Sequence, residues 1–327
     1  MVPERSTTMT ITDPPTQLAA PPAPRGTLPQ RTGSKPFSKE NITKILFVVP
    51  AGLFLVLFFG YPVVKNLTMS LQDYTSKTFF TGEAPWVGFA NYATVFGSKL
   101  FTPALINTGL FTIGSILGQF VIGLALAVFF KKRFPLSNFL RAMLLLPWLL
   151  PLIVASATWR SILDQDSGIL NQFIGIFGID PVPWLTSPSV ALIAVVIVNI
   201  WIGIPFNVTI LYGGLQDIPE ELYEAGALDG ATGWKAFWHI TWPNLRGTVS
   251  VVLVLGVVYT IKVLDIILGL TNGGPANATQ TLSIRSYQES FVNFEFGVGA
   301  AFSNILILIS LLFAIIYLRV NRRAVDE

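Results

Sequence analysis

Residues 219–243 read PEELYEAGALDGATGWKAFWHITWP, a charged, glycine-punctuated stretch set between two long apolar runs. Pro219 suits the first position of a helix, where its missing N–H costs nothing. Glu220, Glu221 and Glu224 crowd the first turns, where the helix dipole favours carboxylates. Tyr223, Ala227 and Leu228 are expected to share a side that docks on an apolar surface. Gly230 and Gly233 let the chain stop, turn and restart. Trp234, Phe237, Trp238 and Ile240 then predict a second short amphipathic piece lying along a membrane surface, and Pro243 opens the next span. A polar knob of this kind between apolar runs is a loop joining two membrane spans.

The composition agrees. Of 327 residues 52% are apolar and 12% charged, with a mean hydropathy of +0.62, whereas soluble domains carry about 25% charged residues. Six segments are long enough to cross a hydrocarbon layer of roughly 30 Å at about 1.5 Å per residue. They are 43–67, 104–130, 142–162, 189–213, 248–270 and 298–319, so an all-α integral membrane protein with six transmembrane helices is expected. Pro50, Pro62, Pro147, Pro151 and Pro205 lie in or near these spans and predict kinks. Residues 1–40 are rich in Pro, Thr, Ser and Ala without apolar periodicity and read as a disordered cytoplasmic tail; residues 41–327 read as one membrane domain. With no cysteine and a single histidine, His239, disulfides, thiolate chemistry and a histidine metal site are excluded.

Lys and Arg placement sets the expected orientation. Arg31, Lys35, Lys39 and Lys44 precede the first span, Lys131, Lys132, Arg133 and Arg141 fill the second connection, and Arg319, Arg322 and Arg323 follow the last span. The other side carries few: Lys77, Lys99 and Arg285, with Arg160 at a span end. The positive-inside bias places both termini, the 131–141 loop and the 214–247 loop in the cytoplasm of a multi-pass cell-membrane protein. The loops on the opposite side are short and rich in Trp, Gly, Pro and Asn, which leaves capture of a dilute solute to another protein.

The spacing in the quoted stretch resembles the cytoplasmic coupling loop of permease subunits in binding-protein-dependent ABC importers. Glu224-Ala225-Gly226, then Asp229-Gly230, then Ile240 and Trp242-Pro243 follow their EAA, Gly and I-x-L-P order, with Gly226 in place of Ala and Trp242 in place of Leu. The resemblance extends over most of residues 43–320. Asn199 to Phe206 and Gly214 to Pro219 look like the span and turn preceding that loop in sugar permeases. Leu270-Thr271-Asn272-Gly273-Gly274-Pro275 is similar to their LT-x-GGP turn, Phe296 to Ala301 to their FG-x-A-x-A entry, and WVGFANYATVF at 86–96 to their first outer loop. The family is the carbohydrate-uptake permeases of the maltose-transporter type. The resemblance implies a type I ABC importer permease fold and an ATPase-coupling role for Glu224, Ala225, Gly226, Asp229 and Gly230 in a coupling loop spanning 214–247. It also implies four partners: a second homologous permease, two copies of a cytoplasmic ABC ATPase, and an extracytoplasmic sugar-binding protein or lipoprotein. No cofactor is expected on the chain itself. It has no G-x-x-x-x-G-K-[ST] run, so ATP and Mg are expected on the partner ATPase and the subunit is expected to be non-catalytic.

Polar groups at membrane depth are candidates for the cargo pathway. Lys262 and Asp265 lie three apart on the fifth expected span, so they are expected to share a helix face, to point into the bundle or a wet cavity, and to be able to pair. Each would cost about 2.5–3.5 kcal/mol at the centre of an isolated helix. Asn199, Gly203 and Phe206 fall on one stripe of the fourth span, and Gly256, Tyr259 and Thr260 on the facing part of the fifth. By resemblance, the maltose-type permease contacts sugar from these two stretches. A secondary transporter working without an ATPase is the rival reading; it predicts internal repeats and a carboxylate relay, and Asp265 has no second acid nearby. An integral membrane enzyme would need clustered acids or histidines, and the acids at 217–229 lack metal-ligand partners. The carried solute, a mono- or disaccharide, a longer oligosaccharide, a polyol or glycerol phosphate, stays open, the lack of a dense cationic cluster speaking against a phosphorylated cargo.

Overall fold

The computed structural model describes residues 39–132 and 134–325, and these are helical throughout apart from loops and an isolated bridge between Gln72 and Trp86. Two compact units are separated, residues 1–57 and 58–327. The first holds α1, Lys39–Leu55, with Pro50 inside it and its apolar side chains from Leu46 onward mostly exposed. Of the expected disordered tail, residues 1–38, with Arg31 and Lys35, lie outside the described residues. Its last two residues, Lys39 and Glu40, are already helical.

The second unit begins near a π-helical turn at Val56–Gly60 that leads into α2, Tyr61–Ser70. It continues with α3 (Phe101–Lys131), α4 (Ser137–Leu144), α5 (Leu152–Ile162), α6 (Ala191–Gln216), α7 (Glu220–Leu228), α8 (Trp242–Thr260), α9 (Asp265–Leu270), α10 (Leu282–Tyr287) and α11 (Phe296–Val325). Among the described residues five helices are long and apolar enough to cross a membrane: Leu46–Ser70, Phe101–Lys131, Ala191–Gln216, Trp234–Thr260 and Phe296–Tyr317. The pair Ser137–Leu149 and Leu152–Ile162 makes a sixth if counted as one span.

Two of the expected spans need correction. The third, expected over 142–162, is two helices bent by 99° at Leu150 and Pro151. Pro147 and Pro151 withhold two backbone donors within five residues and clash with the preceding turn, which breaks the helix. The fifth, expected over 248–270, starts at Trp234 and ends at Thr260. The aromatic piece at 234–240, expected along the membrane surface, runs through a π-helical turn at Phe237–Thr241 directly into α8. Residues 261–264 then leave the helix before α9 restarts the chain at Asp265.

The centre of the unit is the α3–α6 pair, which runs parallel because one further crossing lies between them. Small residues let the backbones close. An added Cβ on Gly118 would sit 2.3 Å from Ile200 Cδ1, and one on Gly123 2.6 Å from Asn207 Cβ. Between helices in lipid, where no hydrophobic force drives association, this close approach is the main source of adhesion. Ala127, Leu211, Leu215, Ile218, Leu245 and Val249 form the apolar cluster at the end that carries 219–243; Phe111, Val195, Val198, Ile266 and Ile284 form one at the other end. α11 is tied to its neighbours by polar contacts: Asn66 Nδ2 donates to Asn304 Oδ1 at 2.7 Å, Asn304 Nδ2 to the Tyr92 hydroxyl at 3.2 Å, and Ser286 meets Ser303 at 2.6 Å. Many large apolar side chains remain outward, Leu149 and Ile153 among them. On a soluble monomer such a surface would aggregate; on a membrane subunit it meets lipid or a neighbouring chain.

Candidate coupling loop and transport pathway

The knob at 219–243 is a short helix held down on one side and free on the other. Pro219 enters α7 with extended backbone, and Glu220 and Glu221 occupy the first turn. At the other end the Ala231 N–H reaches the Gly226 carbonyl at 2.7 Å and the Gly230 N–H the Ala227 carbonyl at 3.1 Å. Gly230 stands at φ +77° and Gly233 at φ +54° with ψ −117°, backbone that other residues adopt at a cost. The turn therefore reverses the chain within four residues and aims it into α8.

The held side is Tyr223 and Gly226. The Tyr223 hydroxyl meets Thr241 Oγ1 at 2.9 Å, and the Lys131 ammonium lies 3.8 Å from the centre of its ring. Gly226 lets Ile240 press against α7, since an added Cβ would come within 2.5 Å of Ile240 Cδ1. The free side carries Glu221, Glu224, Ala225 and Leu228, the last 92% exposed, with Asp229 and Gly230 exposed beyond them. This corrects the expectation that Tyr223, Ala227 and Leu228 dock together: Tyr223 faces inward, Ala227 beside it is left exposed, and Leu228 faces out with Glu224. At 100° per residue, 223 and 226 fall on one side and 221, 224, 225 and 228 on the other. Glu224 makes no ion pair among the described residues, so its carboxylate is free for a partner's cation.

The expected pathway residues separate into two groups. Phe206 and Tyr259 meet edge to face at 6.0 Å, Trp148 stands 5.9 Å from Phe206, and the Lys262 ammonium lies 5.3 Å from the Tyr259 ring centre. Trp148 and Tyr259 are each more than half exposed, so this row opens outward where the third span breaks. The other group is shut. Asn199 and Thr260 are buried, Gly256 packs near Ile116, and Gly203 is closed off by Gln119, whose Nε2 donates to the Asn199 carbonyl at 2.9 Å. Asn199 and Gly203 thus serve the α3–α6 junction in this conformation. Sequence reasoning overlooked Trp148 and Gln119. The signals were a Trp between Pro147 and Pro151, and a single glutamine in the middle of the 31-residue apolar helix α3.

Lys262 and Asp265 correct a further expectation. They do not share a helix face, because α8 has ended and α9 begins with Asp265. They form no ion pair among the described residues, and both are exposed on this chain. Asp265 sits in the first turn of α9, where the amide dipoles favour its charge. No group of three or more His, Asp or Glu side chains among the described residues is arranged to hold a metal ion.

Comparison with known proteins gives consistent matches. Residues 119–326 match the family described as the binding-protein-dependent transport system inner membrane component. The trehalose/maltose transport system permease protein MalF of Thermococcus litoralis is 34% identical over 279 residues, covering 85% of this chain and 92% of that protein. The sulfoquinovosyl glycerol transport system permease protein SmoG of Agrobacterium fabrum is 30% identical over 283 residues, covering 86% and 91%. Among solved structures, a bacterial ABC transporter that imports the acidic polysaccharide alginate superposes with a TM-score of 0.75 at 21% identity, covering 87% of this chain and 96% of that one. That likeness shows the type I ABC importer permease fold.

Proposed function

The chain belongs to the family of binding-protein-dependent transport system inner membrane components, and from that membership we propose that it is the sugar-conducting permease subunit of an ATP-driven importer. Its partners in this reading are a second permease of the same fold, two copies of a cytoplasmic ATPase that bind ATP and Mg, and an outer sugar-binding protein. Both termini and the 214–247 loop lie in the cytoplasm. The relatives named for trehalose, maltose and sulfoquinovosyl glycerol support a glycoside cargo, and the alginate importer, also described with a pentasaccharide-bound periplasmic protein, supports the outer receptor.

The observation that carries the proposal is the two-sided build of α7. Tyr223 and Gly226 lock its back to Thr241 and Ile240 at the head of α8, while Glu224, Ala225 and Leu228 stand free. A carboxylate beside small and apolar side chains fits a cleft on a soluble partner, where an Arg can take the carboxylate in a charge-assisted pair. Force applied to the free face passes through the Tyr223–Thr241 and Gly226–Ile240 contacts into the π-helical turn at 237–241 and on into α8, bypassing the glycine turn at 229–233. ATP shifts the bundle between inward-open and outward-open states only to the extent that the ATPase pair prefers one of them.

The open aromatic row supplies the cargo surface. Trp148, Phe206 and Tyr259 present flat apolar faces of the kind that stack on sugar rings, with Lys262 as a hydrogen-bond donor beside them. The row lies on an exposed face of this chain, which suits a pathway completed by the second permease. The test is reconstitution of the assembled transporter in vesicles: ATP-dependent sugar uptake should require all partners and be lost in Glu224→Ala. Uptake by this chain alone would favour a secondary transporter and refute the reading.

A further inference from the structure

A large cavity lies at the root of α7, about 1080 Å³ in volume, walled by the end of α3, the start of α4, the end of α6 and the turn at 233–241. Pockets that hold small molecules run to roughly 1,000 Å³, so a phosphorylated sugar or a lipid headgroup fits. Three cations line it, Lys131, Lys132 and Arg141, against one carboxylate, Glu220.

The Lys131 ammonium is buried and has no hydrogen-bond partner; its contact is the face of Tyr223. A ring face attracts a cation but accepts none of its three N–H donors in the way an oxygen does. Arg141 stacks at 4.5 Å on the Tyr212 ring and donates through Nη2 to Asn138 Oδ1, which leaves most of its donor fork uncommitted. Next to it the N-terminus of α4 has no side-chain cap, and its Ser137 and Asn138 line the same cavity. Three cations and an uncapped helix N-terminus therefore border one half-open cavity, and among them the Lys131 ammonium is buried without a hydrogen-bond partner. Nothing in the sugar pathway or in α7's free face uses them.

We propose that this cavity binds a phosphate-bearing anion, with Lys131 and Arg141 as its principal ligands and the amides of the α4 N-terminus as further donors. A phosphate group offers several acceptor oxygens, matching an ammonium, a guanidinium fork and a helix terminus together. Once bound, it joins α4 to the back of α7 through Lys131 and Tyr223, so it modulates how freely α7 moves. That consequence rests on the coupling role proposed above; the binding itself does not.

The assembled transporter, held in nanodiscs of zwitterionic phosphatidylcholine without ATP or sugar, is titrated with glucose 6-phosphate and with inorganic phosphate by calorimetry. In parallel, phosphatidic acid is added to the discs and retained lipid is counted by native mass spectrometry. The expected result is saturable binding of either the soluble phosphates or the acidic lipid, which identifies the source. It should weaken at least tenfold in Lys131→Met and Arg141→Gln and less in the exposed Lys132→Gln, and should fall as salt rises. Thermal unfolding of each variant confirms that it is folded, and Lys132→Gln supplies a reading even where the buried variant fails to assemble. No binding from either source, or binding indifferent to all three variants, overturns the proposal. Because no transport is measured, the result stands apart from that of Glu224→Ala.

Discussion

Gly203 on α6 and the side chain of Gln119 on α3 exclude each other: an added Cβ at 203 would lie 2.2 Å from Gln119 Cδ. The amide nitrogen of Gln119 meanwhile donates to the Asn199 carbonyl one turn earlier. The glycine is thus a socket for an amide that pins two parallel spans together.

Gly203→Ala should destabilise the subunit by about 1–3 kcal/mol, the usual result of overpacking a filled site. Gln119→Ala vacates the space, so the Gly203→Ala, Gln119→Ala double variant should lose less than the sum of the two single changes. Thermal unfolding in detergent measures the non-additivity; simple additivity would show that the two residues do not share that space.

At Gly226 the neighbour is the tip of Ile240, which can rotate away. Gly226→Ala should therefore be close to neutral, since a gain of up to about 1 kcal/mol in helix propensity offsets the shift. Gly226→Val carries a branched Cβ into the same contact and should uncouple transport from ATP hydrolysis. Equal behaviour of the two variants in an uptake assay would count against the contact.

On the free face of α7, Glu224→Ala should leave the unfolding temperature unchanged, because the carboxylate has no partner among the described residues, yet reduce uptake to background. Leu228→Asp, at a side chain 92% exposed, should likewise spare folding and weaken capture of the ATPase in pull-down assays.

In the aromatic row, Tyr259→Ala and Phe206→Ala should raise the sugar concentration needed for half-maximal uptake while leaving the uncoupled ATPase rate of the complex intact. Asn199→Ala should instead lower stability, as expected of a buried residue at the α3–α6 junction. Uniform effects from all three would show that the open and closed groups are one site.

Lys262 and Asp265 test the break after α8. A double-mutant cycle with Lys262→Met and Asp265→Asn should give a coupling energy near zero, within about 0.3–0.5 kcal/mol. A coupling well above that would mean that the two charges pair, as a continuous helix would allow.

The sequence by itself determined the membrane class, the four spans near 43–67, 104–130, 189–213 and 298–319, and the position of the knob between the fourth and fifth. These follow from composition and from local rules: an apolar run of about 20 residues spans a bilayer wherever it occurs, and glycines at 230 and 233 turn a chain whatever surrounds it. It did not determine where the third and fifth spans break. Pro147 and Pro151 announced a kink, but a bend of 99° depends on what α5 packs against. The ending of α8 at Thr260 carries no proline or glycine signal at all. Tertiary structure alone decided which side of α7 is held and which is free. It also decided that Asn199 and Gly203 close on Gln119 while Phe206 and Tyr259 open outward. The reason is physical: helical spacing says which residues share a face, but only contacts from distant segments, such as Ile240 on Gly226, say which face is covered.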